Sequence, residues 1–270
     1  MSSTPEQNKR HPDGQISTEV RGNIFLIGID RPEKYNGFTP KMFSELADAY
    51  AELENNSELW VGVLFAHGKH FTAGLDLPKF ADAMKKGEAI LPTNGIDPFS
   101  LKPPFRTKPV VAAMNGICYT AAIELMLATE IVVSARSARY SQLEVGRGVM
   151  AAAGATFRMV ERAGWGNAMK VLLTGYEFNA EEALRYNFIQ EIVDDGEEFN
   201  RALELAEEIA KQAPLAVQAT LQSSRAYYFD SPKAAVDEFI PVMKALANTE
   251  DAAEGVQSFI EKRPPVYKGK

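Results

Sequence analysis

The first apolar cluster of the chain, residues 16–29 (ISTEVRGNIFLIGI), reads as a β-hairpin. Its turn is Arg21-Gly22-Asn23, because Gly and Asn tolerate positive φ. Thr39-Pro40 opens a helix: Thr39 can cap, and Pro40 suits the first helical position. Met42, Phe43, Leu46, Ala49, Tyr50 and Leu53 then share one face at helical period. Trp60–Ala66 and Pro109–Asn115 are continuous apolar runs, as expected for strands buried on both faces. Thr120–Ala128 predicts a short apolar helix, and Glu130–Ala135 another strand. This alternation implies a parallel sheet with right-handed crossovers. Beyond residue 150 helical patterns dominate, over 154–163, 166–173, 180–186, 197–212, 214–228, 232–247 and 249–261, with one strand at Phe188–Val193. Such a helical region, with little core of its own, is expected to pack on a neighbouring subunit. Residues 79–108 hold Gly87, Pro92, Gly95, Pro98, Pro103 and Pro104 and no clear period. A stretch of that length is functional or mobile. It is expected to border the active site, with a plain surface excursion as the alternative.

Composition narrows the picture. The 270 residues are 46% apolar, enough for one large domain or a domain with a small appendage. The longest dense apolar runs are too short to span a bilayer. The opening MSSTPEQNKRHPDGQ is polar, has no hydrophobic segment of a secretory signal, and reads as a flexible leader. The single cysteine, Cys118, excludes an internal disulfide framework and a cysteine-based zinc site, and fits a reducing cytoplasm. It reads as a packed thiol. The net charge of −7 argues against nucleic acid as the main partner. A phosphate-bearing substrate would need local basic residues, which occur at Lys34, Lys79 and near the C-terminus. His67 and His70 have no further partner at metal spacing, so no metal site is expected. Trp60 and Trp165 read as core or interface residues.

Three segments in order resemble the crotonase (enoyl-CoA hydratase/isomerase) superfamily: RPEKYNGF (31–38) with HFTAGLDL (70–77), KPVVAAMNGICYTAAIELMLATEIVVSA (108–135), and YSQLEVGRGVMAAAGAT (140–156) trailed by LLTGYEFNAEEALRYNFIQEIV (172–193). The ending FIEKRPPVYKG (259–269) is similar too. The resemblance implies an α/β spiral of ββα repeats, with a leader over 1–15, a spiral core over 16–200 and a helical oligomerisation region over 201–270. It implies a homotrimer or dimer of trimers, an acyl-CoA substrate, no cofactor beyond the coenzyme A moiety, and an anion stabilised at the thioester oxygen.

Chemistry beside a thioester builds negative charge on its carbonyl oxygen. Two fixed N–H donors stabilise that charge by roughly 3–4 kcal/mol each. They must be free of sheet or helix pairing, as at a loop tip or in a first helical turn. Leu75, after Ala73-Gly74, and Ala121, opening the Thr120–Ala128 helix, meet that need, and the family's oxyanion hole maps onto them. Taken alone, Ala73-Gly74-Leu75 is an ordinary strand-ending turn; its register with Asn115-Gly116 favours the functional reading. Many members carry three glycines where this chain has Thr120-Ala121-Ala122. Glu124 and Glu144 align with the two glutamates that hydratases of the family place on either side of a water. The alternatives are a solvated helix face for Glu124 and a salt bridge to Arg147 for Glu144. After Glu144, Met150-Ala151-Ala152-Ala153-Gly154-Ala155 stands where hydratases carry a Pro-Gly and paired-Gly run, which leaves water placement open.

For coenzyme A, Lys34, Asn36, Ala73, Gly74, Asp76, Leu77, Lys79 and Gly116 fall on the resembling segments, and Phe259 and Lys262 on the C-terminal pair that reaches coenzyme A from an adjacent subunit. Simple solvation is the alternative for each lysine, and loop capping for Asp76. The expected reaction is reversible hydration of a 2-enoyl-CoA. The rivals are another chemistry of the superfamily, isomerisation or hydrolysis of a C–C or thioester bond, and a non-catalytic acyl-CoA-binding protein.

Overall fold

A computed structural model describes residues 11–270. Strands β1 (Gln15–Arg21) and β2 (Ile24–Asp30) form the expected hairpin, closed at Arg21↔Ile24 with Gly22 at φ 59°. Every residue of β2 is buried, whereas β1 is the half-exposed edge. Helix α1 (Pro40–Asn55) starts where predicted: Thr39 Oγ1 accepts from the Met42 amide at 3.2 Å. There follow β3 (Val61–Ala66), α2 (Leu77–Lys86), β4 (Val110–Met114), β5 (Ile117–Tyr119), α3 (Ala121–Leu127), β6 (Ile131–Ala135), β7 (Arg139–Ser141), α4 (Ala155–Ala163), α5 (Trp165–Thr174), β8 (Phe178–Asn179), α6 (Ala180–Arg185), β9 (Glu191–Val193), α7 (Glu198–Ala210), α8 (Pro214–Phe229), α9 (Pro232–Asp237), α10 (Phe239–Ala247) and α11 (Glu250–Glu261).

The large sheet runs β1-β2-β3-β4-β6-β9, parallel except for β1. A small sheet, β5-β7-β8, stands beside it. The chain climbs from one sheet to the other in repeated ββα turns. The clearest are β4-β5-α3 and β6-β7-α4. Lone bridges Phe38↔Leu75 and Thr72↔Cys118 supply the second strand for the turns that end in α1 and α2. Those bridges bring residue 75 beside the start of α3. The main core lies between the sheets and α1, α3 and α4, with Phe43, Leu46, Tyr50, Met126 and Tyr140 at or near zero exposure. On the opposite face of the large sheet, Ala202 and Ala206 of α7 pack against Leu26, Val63 and Val111.

Several boundaries differ from the sequence reading. Helix α2 runs into the stretch expected to be irregular; its signals were Pro78 in the first turn and Gly87 at φ 69° as its cap. The expected helix 232–247 breaks at Glu238, because Pro241 lacks the N–H that an uninterrupted helix would need there and fits only a first turn. The expected boundary at residue 200 falls within α7, which belongs to the core. The leader over 1–15 lies mostly outside the described residues. At its described end, the carbonyls of Asp13 and Gly14 accept from Thr39 and Lys41, which docks that stretch on α1. Trp165 is 70% exposed, so it is no core residue. Among the described residues no helix is long and apolar enough to cross a membrane.

Candidate active site

A cavity of about 640 Å3 opens between α1, α3 and the two loops that follow α2 and β7. Its wall contains Leu75, Thr120, Ala121, Glu124 and Glu144 together. Most of the remaining lining is apolar. Residues 84–102 form much of it, through Met84, Ile90, Leu91, Phe99 and Leu101, so that stretch does border the site. It is fastened to α1 rather than loose. Asn94 donates to Ser44 O and Asp48 Oδ1, and the Ile96 amide to Ala47 O. Phe43 and Phe99 meet edge-on at 5.6 Å behind it. No periodic pattern of residues marks this wall in the sequence.

The peptide groups of residues 75 and 121 are free for geometric reasons. In the parallel bridge Phe38↔Leu75, the Phe38 amide donates to Gly74 O and the Asp76 amide to Phe38 O. The bridge uses the flanking groups, so the N–H of Leu75 itself points away and has no acceptor among the described residues. Ala121 is the first residue of α3, where an amide has no intrahelical partner. Thr120, just before it, is tied by its own amide to Ser141 O.

Thr120 holds α3 in place at a conformational cost. Its φ of 50° and ψ of −108° lie in a region that favours glycine. A β-branched residue held there costs of order 1–3 kcal/mol. Its side chain packs directly on Gly74, which is at φ 100°: a Cβ at Gly74 would come within 1.9 Å of Thr120 Oγ1. Position 74 therefore takes only glycine while Thr120 stands against it.

Glu124 is 4% exposed, so it is not on a solvated face. Its Oε1 accepts from the amides of Ala153 at 2.7 Å and Ala155 at 3.2 Å. Burial pushes its carboxyl up to about 7, against those two amides, and the nearby Glu144 adds to the rise. Glu144 is half-buried in a 3-10 turn over Glu144–Arg147. Burial raises its carboxyl as well, against an N–H of its own turn and Gln142. Glu144 Oε1 accepts from Gln142 Nε2 at 2.9 Å, and no ion pair to Arg147 forms among the described residues. Glu144 Oε2 is buried without a protein partner. The loop 150–155 therefore orients Glu124 through its backbone, with no proline in it. Behind it, the buried guanidinium of Arg158 reaches Ala153 O and Ser100 O, which joins the two cavity loops. Only its place one turn after Gly154 could have marked Arg158 in the sequence.

The other predicted contacts divide. Ala73 and Leu77 line the cavity, and Gly74 lies against Thr120. Lys34 is exposed nearby in sequence. Asn36 is fully buried: its Oδ1 accepts from the Arg31 amide and its Nδ2 donates to His67 O and His70 O, so its side chain holds the loop. Asp76 pairs with Arg31 at 2.8 Å and Lys79 with Asp13 at 2.5 Å. Gly116 faces the Lys69 carbonyl, not the cavity. Phe259 (84% exposed) and Lys262 lie on and just after α11, away from the cavity of their own chain. His67 bonds Ser17, and His70 accepts from the Ile117 amide and stacks on Tyr35.

The sequence pattern of the Enoyl-CoA hydratase/isomerase family matches residues 19–270. The chain belongs to this family. It is similar to the (E)-benzylidenesuccinyl-CoA hydratase of Thauera aromatica, at 30% identity over 94% of this chain and 99% of that one. Among solved structures, a probable enoyl-CoA hydratase/isomerase from Mycobacterium abscessus superposes with a TM-score of 0.92 at 40% identity, over 94% of this chain and 98% of the other. The enoyl-CoA hydratase of Mycobacterium tuberculosis H37Rv gives 0.87 at 32% identity, over 96% and 100%. The two-sheet spiral described above is thus the crotonase fold, followed by helices α8–α11.

Proposed function

We propose that this crotonase-family protein catalyses reversible hydration of a 2-enoyl-CoA to a 3-hydroxyacyl-CoA. The observation that carries the reading is the meeting of two carboxyl groups, both raised by burial, with two free amides on the wall of one apolar cavity. The thioester oxygen sits between the amides of Leu75 and Ala121. One ionised glutamate takes a proton from water as its oxygen adds to Cβ. The C=C electrons move toward the thioester, and the amides hold the resulting enolate. The other glutamate, protonated, delivers its proton to Cα. Burial raises both carboxyls, which favours one of the pair holding a proton that the other lacks. Glu144 Oε2, buried and unpartnered, is a natural anchor for the attacking water.

Coenzyme A enters past Ala73 and Leu77, with Lys34 and Lys79 as phosphate contacts; Lys79 exchanges Asp13 for phosphate. Phe259 and Lys262 serve the site of an adjacent subunit in a homotrimer or dimer of trimers. The exposure of Ile240 (78%) and Phe259 (84%) supports that assembly. The reaction asks for no cofactor beyond coenzyme A itself. The free, buried Cys118 suits the cytoplasm.

The test is loss of enoyl absorbance with crotonyl-CoA and longer 2-enoyl-CoAs. Hydration at micromolar enzyme supports the reading. No turnover of any chain length contradicts it and leaves isomerase or hydrolase chemistry, or acyl-CoA binding alone.

A further inference from the structure

Thr120 stands between the two amides assigned to the oxyanion. The amide of Ala121 follows it directly, and standard bond lengths keep Thr120 Oγ1 within about 5 Å of that nitrogen. The same hydroxyl sits against the Cα of Gly74, whose peptide bond carries the amide of Leu75. It makes no hydrogen bond to the described residues, although Thr120 is half-buried and lines the cavity. A glycine would adopt φ 50° and ψ −108° without strain, so nothing in the backbone calls for a threonine here. Strain of this kind persists where the surroundings over-determine it, and it clusters at functional sites. A free O–H set beside two N–H donors is a donor for the same anion.

We infer that Thr120 is a third oxyanion donor, its hydroxyl hydrogen-bonding the thioester oxygen as charge accumulates there. This rests on the thioester being bound as proposed above, though not on hydration being the reaction. The hydroxyl is neutral and rotates, so it binds the uncharged carbonyl weakly and the anion strongly. A donor of that kind acts on the transition state more than on substrate binding. β-Branching limits the rotamers available to the side chain, whose oxygen lies against Gly74.

The test uses the intact protein and acetoacetyl-CoA, whose enolate has its own ultraviolet band. The bound thioester gives up its C2 proton to a site carboxylate or to solvent, with no water added, so the signal does not depend on hydratase turnover. Thr120→Val keeps the shape and removes the hydroxyl; Thr120→Ser keeps the hydroxyl; Thr120→Gly removes the side chain and the strain. The expected result is a ten- to hundredfold smaller enolisation constant in the Val and Gly variants, the range for a hydrogen bond to a charged group. Ser should recover most of it. In a turnover assay the same loss should fall on kcat rather than KM. Equal enolisation in wild type, Val and Gly would overturn the inference. So would Val matching wild type while Gly alone differs, which would show a steric role. Should Thr120→Val not fold, the Ser and Gly pair carries the same decision. An absence of turnover in every variant, with the enolate signal still following the hydroxyl, would contradict hydration and leave the third donor standing.

Discussion

The spiral core and the C-terminal helices are built on opposite terms. In the core, β2, β4 and α3 bury almost every side chain, and residues of this chain line the cavity. In α8–α11 the buried residues are few: Pro214, Ala235, Asp251 and Ser258, and none in α10. Those helices show Phe229, Ile240, Met243 and Phe259 to solvent instead. What joins α8 to the core is polar. Arg106, fully buried, pairs with Glu130 at 2.7 Å. Arg225 of α8 pairs with the same carboxylate at 3.0 Å and donates to Arg106 O. Thr107 Oγ1 links Glu54 to Gln218. The difference separates two regions: the core builds the cavity, while the helices leave large apolar side chains exposed.

The largest expected effect separates the two regions by activity. Glu144→Gln should lower turnover by about a hundredfold to ten-thousandfold, the range for an acid/base group. Its sedimentation should match wild type, because the change lies in the core. Unchanged turnover in the enoyl absorbance assay would remove Glu144 from the chemistry.

Next is the joint itself. Arg106→Met leaves Glu130 facing one arginine fewer and should cost about 3–5 kcal/mol, as for other broken buried pairs. Urea unfolding measures it, and hydrogen exchange should show α8 loosening before α1. Equal loosening of both helices would mean that the joint is not where the regions part.

Glu124 gives a pH signature confined to the core. Its carboxyl rises from 4.5 when unfolded to about 7 when folded. The folded state therefore binds more protons between those values. The contribution of Glu124 to stability is greatest below pH 4.5, falls as pH rises, and levels off above about 7. Glu124→Gln should remove that slope and raise stability at pH 8 by up to roughly 3 kcal/mol, with little change at pH 4. A steeper slope in the variant would reverse the sign assigned to this burial.

The smallest effect compares one cap in each region. Thr39 caps α1 and Thr249 caps α11, each accepting from the amide three residues on. Thr249→Ala should cost about 1 kcal/mol. Thr39→Ala should cost more, because Thr39 is buried and its hydroxyl also donates to Asp13 O. Thermal melts that ranked the two the other way would contradict the contrast in packing.

Much of the core could be read in the sequence because its elements are long or sharply capped. The Thr39-Pro40 cap, the seven-residue apolar runs and the helical face of α1 each carry their own signal. The small sheet could not be read: β5, β7 and β8 have three residues or fewer, too short for a period, and exist only because their neighbours pair with them. For the site, the ordered motifs pointed to Glu124, Glu144, Leu75 and Ala121. They could not separate residues that touch the cavity from residues that hold it. Asn36, Asp76 and Gly116 are of the second kind, and only their hydrogen bonds and packing reveal it. Arg158 and the aromatic pair Phe43 and Phe99 come together from distant segments, so no local pattern marks them. The conformation of Thr120 is likewise invisible until β5 and β7 fix the strand that enters it.

The most direct measurement is a crystal structure of Glu144→Gln with a 2-enoyl-CoA bound. The expected result is a thioester oxygen about 2.7–3.1 Å from the amide nitrogens of both Leu75 and Ala121, with Glu124 and residue 144 on either side of the double bond. A thioester oxygen out of hydrogen-bonding reach of both amides would contradict the account.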